Sequence, residues 1–259
     1  MTRTTTRLTI QLTIAALCLL QAWTETSVEA GLVSFSNISQ SGQGPGDPAN
    51  PYGAPVILGN SLTFPGPSAF SATSANGLFD IEDGFTDGFL SFSVEADPDT
   101  WITGLSLEES GLRSLLELQN PGTATTRVRV IAVGSISVIE LDHGNSPLTG
   151  LAAQPMGIGF DLTWDLANHM EVVLWNGVDA ADIAATLTER GVAFEHGATA
   201  IDFFMNNQLL AISEDGTFAF IDKKFIDFDV DTEMVPEPGT IILGIAGMLA
   251  VAVIRPWTL

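Results

Sequence analysis

Carboxylates are the groups most able to do chemistry here: the chain has 31 Asp and Glu against nine Lys and Arg. Their densest cluster is Asp80-Ile-Glu-Asp-Gly-Phe-Thr-Asp87. Hard oxygen donors crowded on a glycine-containing loop suit Ca²⁺, which takes six to eight oxygen ligands. Asp80, Glu82, Asp83 and Asp87 are the candidate ligands. The EF-hand spacing is not met, because Ser91 stands where a bidentate Glu is needed, and a solvated acidic loop is the simpler account. Asp227, Asp229 and Asp231 alternate with Phe228 and Val230. That pattern puts three carboxylates on one strand face, where they repel unless solvated or bridged by a cation. Glu108-Glu109 offers one carboxylate of a glycoside-hydrolase pair, but no spacing places its partner. A structural role is the simpler account there too.

Other catalytic signatures are missing from the sequence. His143, His169 and His196 are the only imidazoles, and they form neither His-x-His nor His-Glu-x-x-His. There is no Gly-x-Ser-x-Gly elbow and no phosphate-binding glycine loop at a strand–helix junction. The residues therefore support no catalytic assignment, no enzyme and no cofactor beyond the candidate Ca²⁺. Trp101, Trp164 and Trp175, with 15 Phe in the chain, include rings that could stack on sugars from a concave sheet face, although most must fill the core. A formal charge of −22 excludes nucleic acid as partner, since that binding needs Lys and Arg to neutralise phosphates. The single cysteine, Cys18, gives no disulfide framework.

The elements that must position these residues are short strands. A hydrophobic fraction of 46% is ample for a packed core. Strand patterns fall at 32–35, 56–58, 61–64, 89–95, 101–107 and 126–141, the last reading as two strands or one bent at Gly134. Further strands fall at 158–164, 170–175, 200–205 and 209–213, with a turn expected at Asn206-Asn207. The Gly/Pro/Asn-rich run 40–51 reads as coil, and strands at 217–221 and 225–230 flank Lys223-Lys224. One helix is expected over about 179–190, from acidic Asp179 to Arg190 and Gly191, with Ile183 and Leu187 facing the sheets. The expected fold is mainly β: an antiparallel β-sandwich or jelly roll over 31–232 with that one short helix, plus an N-terminal signal helix and a C-terminal membrane helix.

Both ends carry targeting patterns. Met1-Thr-Arg-Thr-Thr-Thr-Arg7 is positive, 8–20 is largely apolar, and Val28-Glu29-Ala30 has the residue types a signal peptidase reads. This predicts a signal peptide over 1–30 with cleavage after Ala30, taking Cys18 with it. At the other end Val235-Pro236-Glu237-Pro238 precedes the uncharged run 240–254, then Arg255. An apolar helix over 239–254 would span roughly 24 Å, marginal for a bilayer core of about 30 Å, and Arg255 would mark its cytoplasmic end.

Val235-Pro236-Glu237-Pro238, the apolar segment and the terminal basic residue together resemble the PEP-CTERM sorting signal of exported bacterial proteins. The resemblance covers about 235–259 of a sorting tail set at 233–259 and implies recognition and processing by an exosortase, a membrane cysteine protease. That family ends in an arginine cluster, of which this chain has only Arg255. Gly104-Leu-Ser-Leu-Glu-Glu-Ser-Gly111 and Phe220-Ile-Asp-Lys-Lys-Phe225 resemble strand-rich domains carried by such tails, for which no activity follows.

The expectation is thus an exported surface or matrix protein, non-enzymatic and structural or adhesive. Its partners would be exosortase-type sorting machinery, the membrane through its C-terminal helix, and extracellular polysaccharide. The alternatives are a carbohydrate-binding module, Ca²⁺-assisted or not, and a secreted polysaccharide hydrolase.

Overall fold

A computed structural model describes residues 32–234 apart from 43–49, 68–69, 78–83, 120–122, 124, 145–147, 149 and 151. The expected signal segment with Ala30, the loop acids Asp80, Glu82 and Asp83, and the tail with Val235, Pro236, Glu237, Pro238 and Arg255 lie outside the described residues. The fold is mainly β and antiparallel. Its strands are β1 (Val33–Gly42), β2 (Val56–Leu58), β3 (Ser61–Phe64), β4 (Ser71–Ala75), β5 (Phe85–Ala96), β6 (Thr100–Glu117), β7 (Arg127–Leu141), β8 (Met156–Asp165), β9 (Val172–Asp182), β10 (Ala198–Ile212), β11 (Thr217–Asp222) and β12 (Phe225–Met234). Helix α1 (Ile183–Glu189) follows β9. Among the described residues no helix is long and apolar enough to cross a membrane.

Pairing divides the strands into two layers. One runs β1-β5-β10-β7-β8. The other runs β2-β3-β12-β6-β9. Strand β6 is long enough to take β12 along residues 100–110 and β11 along 113–117, with β4 beyond β11. A bridge between Ala198 and Ile102 joins the layers into a nearly closed sheet.

The layers meet through residues that alternation turns inward, since successive strand side chains point to opposite faces. Phe92 on β5 stacks on Phe203 of β10 at 4.7 Å. Phe228 on β12 meets both rings edge-on, at 5.0 and 4.9 Å. All three are buried, and fully burying each Phe contributes roughly 1.5–3 kcal/mol.

Several local expectations change in tertiary context. The turn expected at Asn206-Asn207 is absent: β10 continues through both residues, which pair with Phe89 and Gly88 on one side and Val133 and Ala132 on the other. Two flanking strands satisfy the backbone there, and this outweighs the turn preference of Asn. Strand β7 is one continuous element through Gly134. Part of the expected coil at 40–51 is strand, because β1 extends to Gly42 along β5. The helix begins at Ile183 rather than Asp179. Asp179 stays extended, opposite Leu107, with its carboxylate accepting from the Gly159 N–H at 2.7 Å. Asp182 caps the helix instead, accepting from Ala185 N–H at 2.7 Å, a standard N-cap contact. Ile183 and Leu187 are buried as their spacing required.

Candidate functional site

The outer face of the first layer is built by regular alternation. In β5, Leu90, Phe92 and Val94 turn inward, leaving Phe89, Ser91 and Ser93 outside. In β7, Ile136 and Val138 turn inward, leaving Ser135 and Ser137 outside. In β10, Phe203 and Met205 are buried while Asp202 and Phe204 are exposed. Register then aligns them: Asp202 lies between Ser93 and Ser137, and Phe204 between Ser91 and Ser135.

The result is a groove of about 290 Å³ floored by short hydroxyl side chains. Its polar edge is already ordered. Ser93 Oγ donates to Asp202 Oδ1 at 2.7 Å, and Asn37 Nδ2 donates to Ser93 Oγ at 3.2 Å. Asn37 is set there by a bulge in β1, where the pairing shifts between Ser36 and Ser39 and Asn37 takes φ 53°. Asn is among the residues that adopt the left-handed region most readily. Beside this row the Phe204 ring is 47% exposed and leans on Phe89 at 5.6 Å. A large apolar ring held in water next to a line of hydroxyl, amide and carboxylate groups is a ligand-like surface.

The three tryptophans among the described residues are committed elsewhere. Trp175 is buried, with its Nε1–H donating to the Asp222 carbonyl at 2.9 Å. Trp164 packs beneath the Arg113 guanidinium at 5.0 Å, and Trp101 stacks on His196 at 4.9 Å. The exposed stacking ring is therefore a Phe. A Ser-x-Ser pair on each of two strands (91/93 and 135/137) was the sequence signal for this face.

The other candidate residues separate. Asp87 is buried in β5, the only one of the four candidate Ca²⁺ ligands among the described residues, where no group of three or more Asp, Glu, His or Cys is placed to hold a metal. Asp227 accepts from Ser61 Oγ and Thr63 Oγ1, both at 2.6 Å. Asp229 and Asp231 share its outward face; burial and then the two neighbouring carboxylates push Asp229 up from the ordinary carboxylate range. His143 Nε2 lies 3.2 Å from the Thr100 carbonyl oxygen.

Glu108 and Glu109 part company. Glu108 is exposed and accepts from Asn176 Nδ2 at 3.2 Å. Glu109 points into the core and is fully buried, as is Lys223. Lys223 Nζ donates to Glu109 Oε2 at 2.6 Å. The amide of buried Asn207 donates through Nδ2 to the other carboxylate oxygen, Oε1, while Asn207 Oδ1 is buried with no hydrogen-bond partner among the described residues. The Phe70 ring lies 5.0 Å from Nζ. Burial pushes the Lys223 amine down to about 8, against the opposing pull of Glu109. Burial, then Glu109 and Asp87, raise the nearby Tyr52 phenol well above its usual range.

Lys223 is turned inward by the pinning of its segment onto β6. Its own N–H donates to the Phe70 carbonyl at 3.0 Å, and Lys224 N–H to Ser110 O at 2.8 Å. The Asp222 carboxylate accepts from Leu112 N–H at 2.8 Å. A side chain at Gly111 would collide with the Asp222 carbonyl, so glycine is needed for that close approach. Lys224, by contrast, points outward to Asp222 Oδ2 at 2.7 Å. Lys223, between two strands, carried no local signal of burial, whereas alternation with Leu105 and Leu107 and with Met205 and Leu209 puts Glu109 and Asn207 on inward faces.

No protein-family model matches the chain, and no curated protein matches it. Among solved structures it shows likeness to TmCBM61 in complex with beta-1,4-galactotriose, at 13% identity and TM-score 0.20, over 65% of this chain and 88% of that one. The N-terminal cellulose-binding domain of Cellulomonas fimi beta-1,4-glucanase C follows at 13% identity and TM-score 0.22, over 70% and 99%. The lectin UEA-II complexed with galactose is 7% identical, with TM-score 0.25, over 78% and 100%. Superpositions at these scores do not define a shared fold, and the chemistry of the groove rests on its own geometry.

Proposed function

We propose that this chain is a non-enzymatic carbohydrate-binding β-sandwich module that takes a neutral polysaccharide on the outer face of β1, β5, β10 and β7. The observation that carries this reading is the hydrogen-bonded row Asn37–Ser93–Asp202 beside the half-exposed Phe204 ring. Sugars present hydroxyls at their rims and C–H faces above and below the ring. A line of Ser, Asn and Asp matches the first, and an aromatic face matches the second. A pre-formed row also reduces the ordering cost of binding. The net charge of −22 disfavours anionic glycans by repulsion, which leaves neutral ones. The sequence patterns at the two ends support delivery outside the cytoplasm, by signal peptide and a PEP-CTERM-like tail, with exosortase-type machinery as partner; the groove would then face extracellular polysaccharide.

Affinity electrophoresis of the full chain in gels containing neutral or anionic polysaccharides tests the proposal. Retardation by at least one neutral polymer is expected, lost in Phe204→Ala and in Asp202→Ala. Unretarded migration in every neutral polymer, or retardation that both variants keep, would sink it.

A further inference from the structure

Glu109, Lys223 and Asn207 bring an amine, an amide and a carboxylate into contact inside an apolar core, where ion pairs give little net stability. Replacing such a pair by packed apolar residues is usually neutral or stabilising. Each group is placed as a participant in amide exchange. The amine and the amide nitrogen occupy the two oxygens of one carboxylate, so a single side chain can carry protons between them. The segment bearing the amine is held on β6 through Lys224 N–H to Ser110 O and Leu112 N–H to the Asp222 carboxylate, and its own N–H is held by the Phe70 carbonyl; the amide sits in the middle of a doubly paired strand. Neither can drift, which is the condition under which an intramolecular reaction gains most.

The geometry points to a spontaneous isopeptide bond between Lys223 Nζ and Asn207 Cγ, formed inside the folded domain with Glu109 as the proton carrier. First, a proton crosses the Nζ–Oε2 contact, leaving a neutral amine and a neutral carboxylic acid; burial of Lys223 lowers the cost of this transfer. The Nζ lone pair then forms a bond to Cγ, and the carbonyl π pair moves to Oδ1. That oxygen is unpartnered in the intact amide, and the Glu109 O–H turns to it only after Nδ2 has left. Nζ gives up one proton to Glu109, which delivers a proton to Nδ2. The Cγ–Nδ2 bond breaks with its electron pair on nitrogen, and ammonia leaves. Glu109 begins and ends this exchange as the acid, and no oxidant or cofactor is consumed.

The product accounts for two features that are costly otherwise. A buried ammonium becomes a neutral secondary amide, and the orphaned Oδ1 acquires a hydrogen-bond donor. The new bond would tie β10 of one layer to the β11–β12 connection of the other. A chain with one cysteine cannot make an intrachain disulfide, so this would be its covalent staple.

Peptide mapping by tandem mass spectrometry of the purified full chain decides the matter, independently of how its ends are processed. A branched peptide joining the segments around Asn207 and Lys223 is expected, lighter than its two components by one ammonia, about 17 Da. Glu109→Gln, close in shape but unable to relay the proton, should lose the branched peptide while keeping its near-ultraviolet circular dichroism, and Lys223→Arg should lose it as well. Recovery of linear, unmodified peptides from folded wild-type protein would overturn the assignment, whether or not the variants fold. A branched peptide persisting in Glu109→Gln would overturn the role of Glu109.

Discussion

Phe203 and Phe204 are adjacent and chemically identical, and they should respond to truncation in opposite ways. Phe203 is buried to 1% exposure, stacks on Phe92 at 4.7 Å and meets Phe228 edge-on at 4.9 Å. Core Phe→Ala changes cost roughly 3–5 kcal/mol. Two lost ring pairs, each worth about 0.5–1.5 kcal/mol, place Phe203→Ala in the upper half of that range. Phe204 is 47% exposed. Since complete burial of a Phe is worth roughly 1.5–3 kcal/mol, about half of it, near 1 kcal/mol, is at stake there. The two variants should therefore differ by about 3 kcal/mol, more than a hundredfold in folding constant at about 1.4 kcal/mol per decade. For a domain of this size that is a gap of about 6–12 °C in melting temperature. Urea denaturation of the full chain, followed by tryptophan fluorescence, measures it. Phe204→Ala should fold and lose polysaccharide retardation, whereas Phe203→Ala should lose stability first. Equal costs for the two, or a cost under about 1.5 kcal/mol for Phe203→Ala, would refute the two-layer core described above.

Gly111→Ala should destabilise by about 3 kcal/mol, because the added methyl group meets backbone rather than a movable side chain. Gly157→Ala, where nothing lies within 4 Å, is the matched control and should shift the urea midpoint little. At Asp142 burial pushes the carboxyl up, but the backbone N–H groups of Glu195, Gly197 and His196, and then His196 itself, outweigh it and hold the group below the usual range. These contacts measure 2.9, 3.0 and 2.8 Å. A depressed folded value means that the contribution is present above the unfolded carboxylate value, near pH 4, and is lost as pH falls through the folded one. Asp142→Ala should thus cost about 1–3 kcal/mol at neutral pH. Stability measured from pH 6 downward should fall less steeply in the variant than in the wild type.

Alternation within each strand was legible in the residues themselves, because side-chain direction in a strand has period two and needs no knowledge of neighbours. Mainly β structure, the short helix with buried Ile183 and Leu187, and the shared face of Asp227, Asp229 and Asp231 all followed from such local patterns. Local preference misled where flanking strands supplied the backbone partners, as at Asn206-Asn207, which are turn formers held straight by β5 and β7. It also misplaced the helix start, because Asp179 and Asp182 are the same residue type and only the Gly159 N–H distinguishes them.

The assembly of the groove and of the buried triad belongs to tertiary structure. Ser93 and Asp202 are 109 positions apart, and Lys223 and Glu109 are 114. No local period encodes which strands become neighbours or in what register. Of Glu108 and Glu109, or Lys223 and Lys224, one member goes inward and one outward. That choice is made by the pairing of β6 with β12 and β11 and by the absence of a side chain at Gly111, since a one-residue slip in either would exchange the buried group for the solvated one.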